Sequence, residues 1–268
     1  MKLTLSKVFI MVVLFTSKTV IGSILVDKKI VQVADTTKTG LVITPLAESN
    51  DFPSAKLGIK NIKTEMLGAD SVKMMVNFDV VNYDLTKMTM DMNSDDCANS
   101  EQGQHIHFIM DNKPYQALYK PENSVKLPVN SEHYLLCFLS RSYHLSVKSP
   151  DASLLIHFKI DENGKYIQLP TPTKPMLFYS RPKGEYVGKD TQNVLLDFYV
   201  KNAKIGPNDY KVKVNVADTT FTVDHWQPYF IKNAPMGNLK LKIQLLDGAG
   251  KEVSGPNTSL ERSVTLKN

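Results

Sequence analysis

An internal repeat at a spacing of 106 residues most strongly constrains how this chain can fold. An ungapped shift of that size pairs apolar residues with apolar residues over about half of each copy. The aligned pairs are Ile106 and Val212, Phe108 and Val214, Met110 and Val216, Tyr115 and Phe221, Leu135 and Leu241, Leu139 and Leu245, Val147 and Val253, Pro150 and Pro256, and Leu154 and Leu260. Repetition at a fixed spacing indicates that one structural unit occurs twice. A chain of 268 residues is also long enough for two domains.

Within each copy the apolar residues alternate with polar ones in short runs, as in Val72–Val80 and Ile106–Met110. A period of two residues is typical of half-buried β-strands. About seven such runs in about 105 residues match an immunoglobulin-like sandwich. The sequence therefore predicts an all-β protein with two tandem immunoglobulin-like domains at residues 55–160 and 175–268, joined by a linker at 161–174 that Pro170 and Pro172 stiffen.

The N-terminus has the pattern of a secretory signal peptide. Residues 1–22 contain lysines, no acidic residue and an apolar run from Val8 to Phe15 that is too short to span a bilayer. We expect an exported protein, periplasmic or extracellular, with no transmembrane segment after cleavage and with residues 23–54 as an arm and linker. Removal of Lys2, Lys7 and Lys18 lowers the net charge from +5 to +2, which argues against nucleic-acid binding.

The two copies differ in one loop and one turn. Asn77–Asn82 aligns with Asp197–Asn202 at a shift of 120, so the first copy carries 14 extra residues within 88–103. The Gly-rich turn Leu246–Gly250 of the second copy corresponds to Ser140–His144 in the first. Loops at these two positions lie at the same end of a sandwich, so the insertion and the turn should meet.

Both cysteines lie near this end of the first domain. Cys137 has the inward phase of Leu135 and Leu139, and Cys97 lies in the insertion. Because exported proteins commonly pair their cysteines, we expect a Cys97–Cys137 disulfide that ties the long loop to the strand before the turn.

The histidines suggest a metal site. His105 and His107 lie two residues apart on one strand, so they face the same side with Cα atoms roughly 6.5–7 Å apart. They could hold copper or zinc, with His144 as a third ligand and thioethers from Met88, Met90 and Met92. The alternative is a solvated strand face, because the repeat partners of the two strand histidines are Lys211 and Lys213.

The same face carries an apolar row on the neighbouring strand, formed by Tyr134, Leu136 and Phe138. Lysines and a glutamine occupy the corresponding positions of the second copy. An exposed apolar row marks an interaction surface, as in a scaffold module, unless the arm Ile24–Val33 or the second domain covers it.

The Ser140–His144 turn is rich in hydrogen-bond donors. The Arg141 guanidinium suits carboxylate or phosphate oxygens, and Ser140, Tyr143 and His144 could complete an anion site together with His105. The nearby acids Asp95, Asp96 and Glu101 are the alternative partners of Arg141. The sequence contains no G-x-S-x-G elbow, H-E-x-x-H helix or phosphate-binding glycine loop, so we do not expect an enzyme or a required cofactor.

Three segments carry a resemblance to known proteins: Gln104–Asn112, Cys97–Ser100 and His133–Lys148. In these segments the chain resembles a group of exported bacterial proteins labelled phosphopeptide-binding protein. The resemblance implies recognition of a phosphorylated or otherwise anionic ligand.

The sequence thus predicts an exported, non-enzymatic protein that binds an anionic protein or peptide through loops at one end of domain 1. The predicted ligand-binding residues are Arg141, Tyr143, His144, His105 and Ser140. The alternative function is a periplasmic copper- or zinc-binding protein that uses His105, His107 and His144.

Overall fold

The computed structural model describes residues 32–34, 40–47, 49 and 51–268. The predicted signal peptide, residues 1–22, and most of the predicted arm lie outside the described residues. Nearly all regular structure in the described part is β-strand, with two short 3-10 helices at Pro150–Ala152 and Gly188–Thr191. No helix in these ranges is long and apolar enough to cross a membrane.

The first domain is a sandwich of two antiparallel sheets. A three-stranded sheet with the order β3-β4-β7 faces a five-stranded sheet with the order β10-β9-β8-β5-β6. The strands are β3 (Lys56–Met66), β4 (Ser71–Val81), β5 (His105–Met110), β6 (Gln116–Leu118), β7 (Glu122–Pro128), β8 (Ser131–Ser140), β9 (Ser153–Ile160) and β10 (Tyr166–Gln168).

The second domain repeats this arrangement and also includes two strands from the N-terminal arm. Its sheets have the orders β11-β13-β16-β2 and β1-β15-β14-β17-β18-β12. The arm strands are β1 (Gln32–Ala34) and β2 (Val42–Pro45). The others are β11 (Met176–Arg181), β12 (Glu185–Val187), β13 (Val194–Lys201), β14 (Lys211–Val216), β15 (Thr219–Val223), β16 (Tyr229–Lys232), β17 (Gly237–Leu246) and β18 (Ser259–Lys267).

The strand order confirms the predicted fold class, because β3, β4 and β7 form one sheet of domain 1 and β5, β8 and β9 lie in the other. In domain 2, β11, β13 and β16 correspondingly share one sheet and β14, β17 and β18 share the other. The pairing also reproduces the repeat. Ile106 of β5 lies opposite Leu139 of β8, and Val212 of β14 lies opposite Leu245 of β17, which is the same pair shifted by 106 residues.

Each domain has its own apolar core, filled by alternate residues of its strands. Leu135, Cys137 and Leu139 of β8 point into the first core, whereas Leu241, Ile243 and Leu245 point into the second. The arm strand β2 contributes Ile43 to the second core and pairs with β16. The described arm strands β1 and β2 are therefore built into the sheets of domain 2.

The apolar row on β8 is covered by domain 2. Leu136 and Phe138 pack in a third cluster with Met176, Phe178 and Tyr199, and Tyr134 packs at its margin. Since Leu136 and Phe138 have no exposed surface, the row is an intramolecular interface and not a free interaction surface.

A second set of contacts across the interface is polar. The Asn112 side-chain amide donates to the Leu177 carbonyl oxygen at 2.9 Å and accepts from the Tyr179 amide at 2.9 Å. Asp197 of β13 is fully buried and accepts from Ser146 and Lys148 of the first domain. Apolar and polar contacts together join the two sandwiches along one side.

One boundary differs from the prediction. The predicted linker at 161–174 contains β10, which pairs with β9 and extends the first sheet. Its residue Tyr166 packs against the core of domain 1, which explains why this segment is ordered as a strand. The stretch between β10 and β11 connects the two sandwiches, as does the segment between β2 and β3.

The predicted contact between the insertion and the turn is confirmed. The Ser100 amide of the insertion donates to the Ser142 carbonyl oxygen at 2.9 Å, and the Thr89 amide donates to Ser142 Oγ at 3.2 Å. The 14 extra residues of domain 1 are therefore folded against the turn that contains His144.

Candidate metal centre

Two of the candidate ligands lie on β5. His105 and His107 pair with Ser140 and Phe138 of β8, and the alternation of the strand points both imidazoles away from the core of domain 1. The sequence-based alternative of a solvated face is wrong for this strand, because domain 2 packs over it and both histidines have no exposed surface. Their repeat partners, Lys211 and Lys213, remain partly exposed.

The third candidate, His144, is held in place by a tight turn. The His144 amide donates to the Arg141 carbonyl oxygen at 2.9 Å, and the Arg141 amide donates to the Leu145 carbonyl oxygen at 2.9 Å. His144 has a φ of 68°, and its repeat partner Gly250 has a φ of 81°. Few residues other than glycine adopt this conformation without strain, and histidine is among those that tolerate it best.

The three imidazoles converge. His105 Nε2 lies 3.0 Å from His107 Nε2 and 3.1 Å from His144 Nδ1. The three ligand atoms all lie within 4.8 Å of one another. The structure thus brings together all three residues of the predicted metal set.

A backbone hydrogen bond sets the tautomer of His105. Its Nδ1 lies 2.8 Å from the Gly103 carbonyl oxygen, which can only accept, so Nδ1 carries the proton and Nε2 presents its lone pair to the other two rings. Gly103 is required at this point because its φ is 81° and an added Cβ would lie 2.3 Å from the Thr86 carbonyl oxygen.

Two further residues complete the surroundings of the imidazoles. Tyr115 stacks on His107 with ring centroids 3.6 Å apart, and its hydroxyl lies 3.2 Å from His144 Nδ1. Ser180 of domain 2 places its Oγ 3.2 Å from His107 Nδ1. Sequence reasoning missed both. Tyr115 aligns with an apolar residue of the second copy, which gives no sign of a role at the site. Ser180 lies in domain 2, so the repeat pattern does not reveal its contact with His107.

Burial keeps the imidazoles neutral. Loss of hydration lowers the pKa of His105 to about 4, partly offset by its hydrogen bond to Gly103. Burial also lowers the pKa of His107 and His144, and the positive charges of Arg181 and Lys183 add to the effect. A neutral imidazole is the form that binds a metal ion, so the three lone pairs are available at pH 7.

The other predicted ligand-binding residues lie apart from this cluster. Arg141 donates to the Ser146 carbonyl oxygen at 3.1 Å and lies over the Phe52 ring. The Tyr143 side chain is fully buried, and its hydroxyl donates to Asp91 at 2.7 Å and lies 2.8 Å from Ser49 Oγ. Ser140 is buried and donates to the Arg141 carbonyl oxygen. The predicted anion-binding set therefore divides, with His105 and His144 in the histidine cluster and the remainder in the packing around the turn.

Arg141 also borders a cavity with a volume of about 650 Å³. This cavity lies between the turn, the segment 45–53 and the loop before β16. Its polar lining includes Arg141, Lys148, Ser49, Ser146 and Ser149. Lys148 is paired with Asp197 at 2.8 Å, so part of the positive charge is neutralised.

The three methionines of the insertion do not join the imidazoles. Met88, Met90 and Met92 are 40%, 78% and 74% exposed, whereas the imidazoles of His105 and His107 are buried. The predicted mixed site of imidazoles and thioethers is therefore not formed.

The predicted disulfide is wrong, since Cys97 and Cys137 are both free thiols. Cys137 points into the core of domain 1, as its phase on β8 indicates. Cys97 packs in a different cluster with Tyr143 and Leu195, on the side that faces domain 2. The two side chains therefore pack in separate apolar clusters and are not bonded to each other.

Comparison with known proteins gives structural likenesses only. No family model matches the chain, and no curated protein matches it. The chain is similar to fibronectin(III)-like modules of CbhA from Clostridium thermocellum, with 10% identity and a TM-score of 0.27 over 77% of this chain and 94% of that chain. It is also similar to the central fibronectin-III array of RIM-binding protein, with 10% identity and a TM-score of 0.24 over 82% and 71% of the respective chains.

Proposed function

We propose that the protein binds a transition-metal ion, copper or zinc, through His105, His107 and His144. One observation carries the proposal: three neutral imidazole nitrogens converge on one point at the interface of the two domains. Imidazole is a ligand that suits both copper and zinc, and three histidines are a known zinc ligand set.

Hydrogen bonds among the three rings alone cannot pair all the nitrogens that face one another. His105 Nε2 has one lone pair, yet His107 Nε2 and His144 Nδ1 lie 3.0 and 3.1 Å from it. A single metal ion takes lone pairs from all three nitrogens at once. With bonds of 2.0–2.1 Å, nitrogens in a tetrahedral site lie roughly 3.3 Å apart, close to the separations from His105.

The surroundings favour binding over catalysis. Within the described residues, the groups that contact the imidazole nitrogens are the Gly103 carbonyl and the hydroxyls of Tyr115 and Ser180. A hydrolytic metal site commonly also has a carboxylate to act as general base. The fold, two sandwiches that present loops at one end, is common among binding modules.

Metal analysis tests this function. Protein purified without a histidine tag should retain about one equivalent of copper or zinc, or take it up on titration, by inductively coupled plasma mass spectrometry. His107→Gln should abolish uptake. His225→Gln is the matched control, because His225 contacts Asp224 in domain 2 and is not part of the cluster. The absence of both retained metal and uptake in the wild type would overturn the proposal.

A second candidate function is recognition of an anionic peptide in the cavity beside Arg141. It is supported by the cavity volume of about 650 Å³, by the guanidinium and three serine hydroxyls in its lining, and by the resemblance to proteins labelled phosphopeptide-binding. A phosphoserine peptide should bind the wild type and bind Arg141→Lys more weakly in calorimetry, since lysine keeps the charge but lacks the fork. Equal affinity would remove Arg141 from the site.

We further propose that the protein acts outside the cytoplasm, periplasmic or extracellular. The support is the sequence of residues 1–22, with its basic residues and short apolar run. The N-terminal residue of the mature protein, determined by mass spectrometry from an exporting host, tests this proposal. An intact Met1 in the mature protein would contradict it.

A further inference from the structure

The insertion of domain 1 presents methionines on one side only. From Met88 to Asn93 exposed and inward-facing residues alternate, with Met88, Met90 and Met92 outward and Thr89 and Asn93 only 3% exposed. The alternating burial turns all three methionine side chains to the solvent side of this segment. Single exposed apolar residues are ordinary, but three at alternate positions form a patch.

The inward residues anchor this segment beside the histidine centre. The Thr89 amide donates to Ser142 Oγ at 3.2 Å, and the Ser142 amide donates to Thr89 Oγ1 at 3.1 Å. Thr89 Oγ1 also donates to the Gln104 side chain at 3.1 Å. Ser142 is two residues before His144, and Gln104 immediately precedes His105, so the methionines are tied to both segments that carry the imidazoles.

The other end of the segment is fixed as well. The Asn93 side chain donates to the Ala47 carbonyl oxygen and to Ser49, and Tyr143 donates to Asp91 at 2.7 Å. These anchors leave the thioethers at the surface in a defined position. A methionine patch held in this way differs from a loosely exposed loop.

Given the proposed metal-binding function, on which this inference rests, we propose that Met88, Met90 and Met92 form a second, surface site for a cuprous ion next to the imidazole centre. Thioether sulfur is a soft, uncharged ligand that selects Cu(I) over zinc and other harder divalent ions.

The charges around the imidazole centre suit the same monovalent ion. Tyr115, which stacks on His107, has Lys183 Nζ 4.2 Å and the Arg181 guanidinium 5.6 Å from its ring centroid. Both cations repel a bound metal ion, and the repulsion is twice as large for a divalent ion as for a monovalent one at the same position. All three imidazole ligands are uncharged. Cu(I) is therefore an ion that both sites can accept.

Titration with Ag(I), a redox-inert substitute for Cu(I), tests this inference. The expected result is two bound equivalents for the wild type and one for the variant Met88→Leu/Met90→Leu/Met92→Leu. Methionine methyl NMR signals should shift for these three residues. Leucine conserves volume, so folding should be unaffected. The matched control is Met66→Leu/Met236→Leu, which removes two other exposed methionines, 46% and 52% exposed, and should still bind two equivalents.

The two proposals fail in different ways. Unchanged Ag(I) stoichiometry in the methionine variant, together with unshifted Met88, Met90 and Met92 methyl signals in the wild type, would overturn the surface site and leave the imidazole centre standing. If His144→Gly binds as many equivalents as the wild type, the imidazole centre is wrong. Capture of a second protein by the patch without any Ag(I) binding would also overturn the surface metal site, and would identify a protein-docking surface instead.

Discussion

At the residue scale, the hydrogen bond from His105 to the Gly103 carbonyl determines which nitrogen faces the other imidazoles. The same burial that leaves His105 neutral affects stability. Above pH 6.5 His105 is neutral in both the folded and the unfolded protein, so it contributes no pH dependence there. Below that pH the unfolded chain binds a proton that the folded protein accepts only near its own pKa of about 4.

The metal-free protein should therefore lose stability as the pH falls from 7 to 5. His105 alone should lower the free energy of unfolding by about 2 kcal/mol over this interval, and His107 and His144 should act in the same direction. Urea unfolding at the two pH values measures the change. His105→Gln should show a shallower dependence, and an identical dependence in the two proteins would contradict the assignment.

The cysteines make a second prediction at this scale. Because Cys97 and Cys137 lie in separate apolar clusters, burial raises the pKa of both thiols and keeps them unreactive in the folded protein. Unfolding in urea without a reductant should expose two thiols. Alkylation followed by mass spectrometry should give two adducts. Zero adducts would show the disulfide that the sequence suggested.

At the element scale, the turn at Ser140–His144 combines a backbone requirement with a ligand. The corresponding turn of domain 2 has Gly250 at the position of His144, and both residues have positive φ. His144→Gly should therefore preserve the turn and the melting temperature while it removes a metal ligand. His144→Val should cost about 1–3 kcal/mol, because a β-branched residue is strained in this conformation.

Calorimetry and metal titration separate these two effects. His144→Gly should be close to wild type in the first and defective in the second, whereas His144→Val should be defective in both. A His144→Gly variant that binds metal as tightly as the wild type would exclude His144 as a ligand.

The strands and their registers could be predicted because the repeat compares the chain with itself. β5 and β14 begin and end 106 residues apart, as do β8 and β17. The contact between the insertion and the Ser140–His144 turn followed from sandwich topology alone. The positions of β1 and β2 could not be derived, because an added edge strand leaves no periodic signature beyond its own short apolar run.

Burial of the histidines escaped prediction for a related reason. Lys211 and Lys213 indicated a solvated strand face. That interpretation holds for domain 2, where both lysines are partly exposed to solvent. Only the docking of the two domains buries His105 and His107, and the packing of one domain on another is not encoded in the alternation of a single strand. The contact of Ser180 with His107 could not be predicted for the same reason, because it forms only when the two domains pack together.

At the scale of the whole molecule, the centre lies at the junction of the two sandwiches and depends on their docking. Asn112 fixes that docking through two hydrogen bonds to the backbone of β11. Asn112→Ala should leave a buried donor and a buried acceptor without partners and cost about 2–4 kcal/mol. Its metal affinity should also fall, because His107 contacts Ser180 on the same strand.

Urea unfolding and metal titration measure these two effects. Asn130→Ala is the matched control, since Asn130 has a similar positive φ of 51° but is exposed, and its amide donates to Asp161. Asn130→Ala should lose only the stability that asparagine, compared with alanine, provides at a positive φ. Equal losses in the two variants would mean that the interface contributes nothing through Asn112.

X-ray absorption at the metal edge tests the central claim most directly. Protein loaded with one equivalent of copper or zinc should show three nitrogen ligands at about 2.0 Å, with the outer-shell scattering of imidazole rings. His105→Gln should reduce the imidazole count by one. A first shell of oxygen or sulfur without imidazole scattering would contradict the assignment of His105, His107 and His144 as the metal ligands.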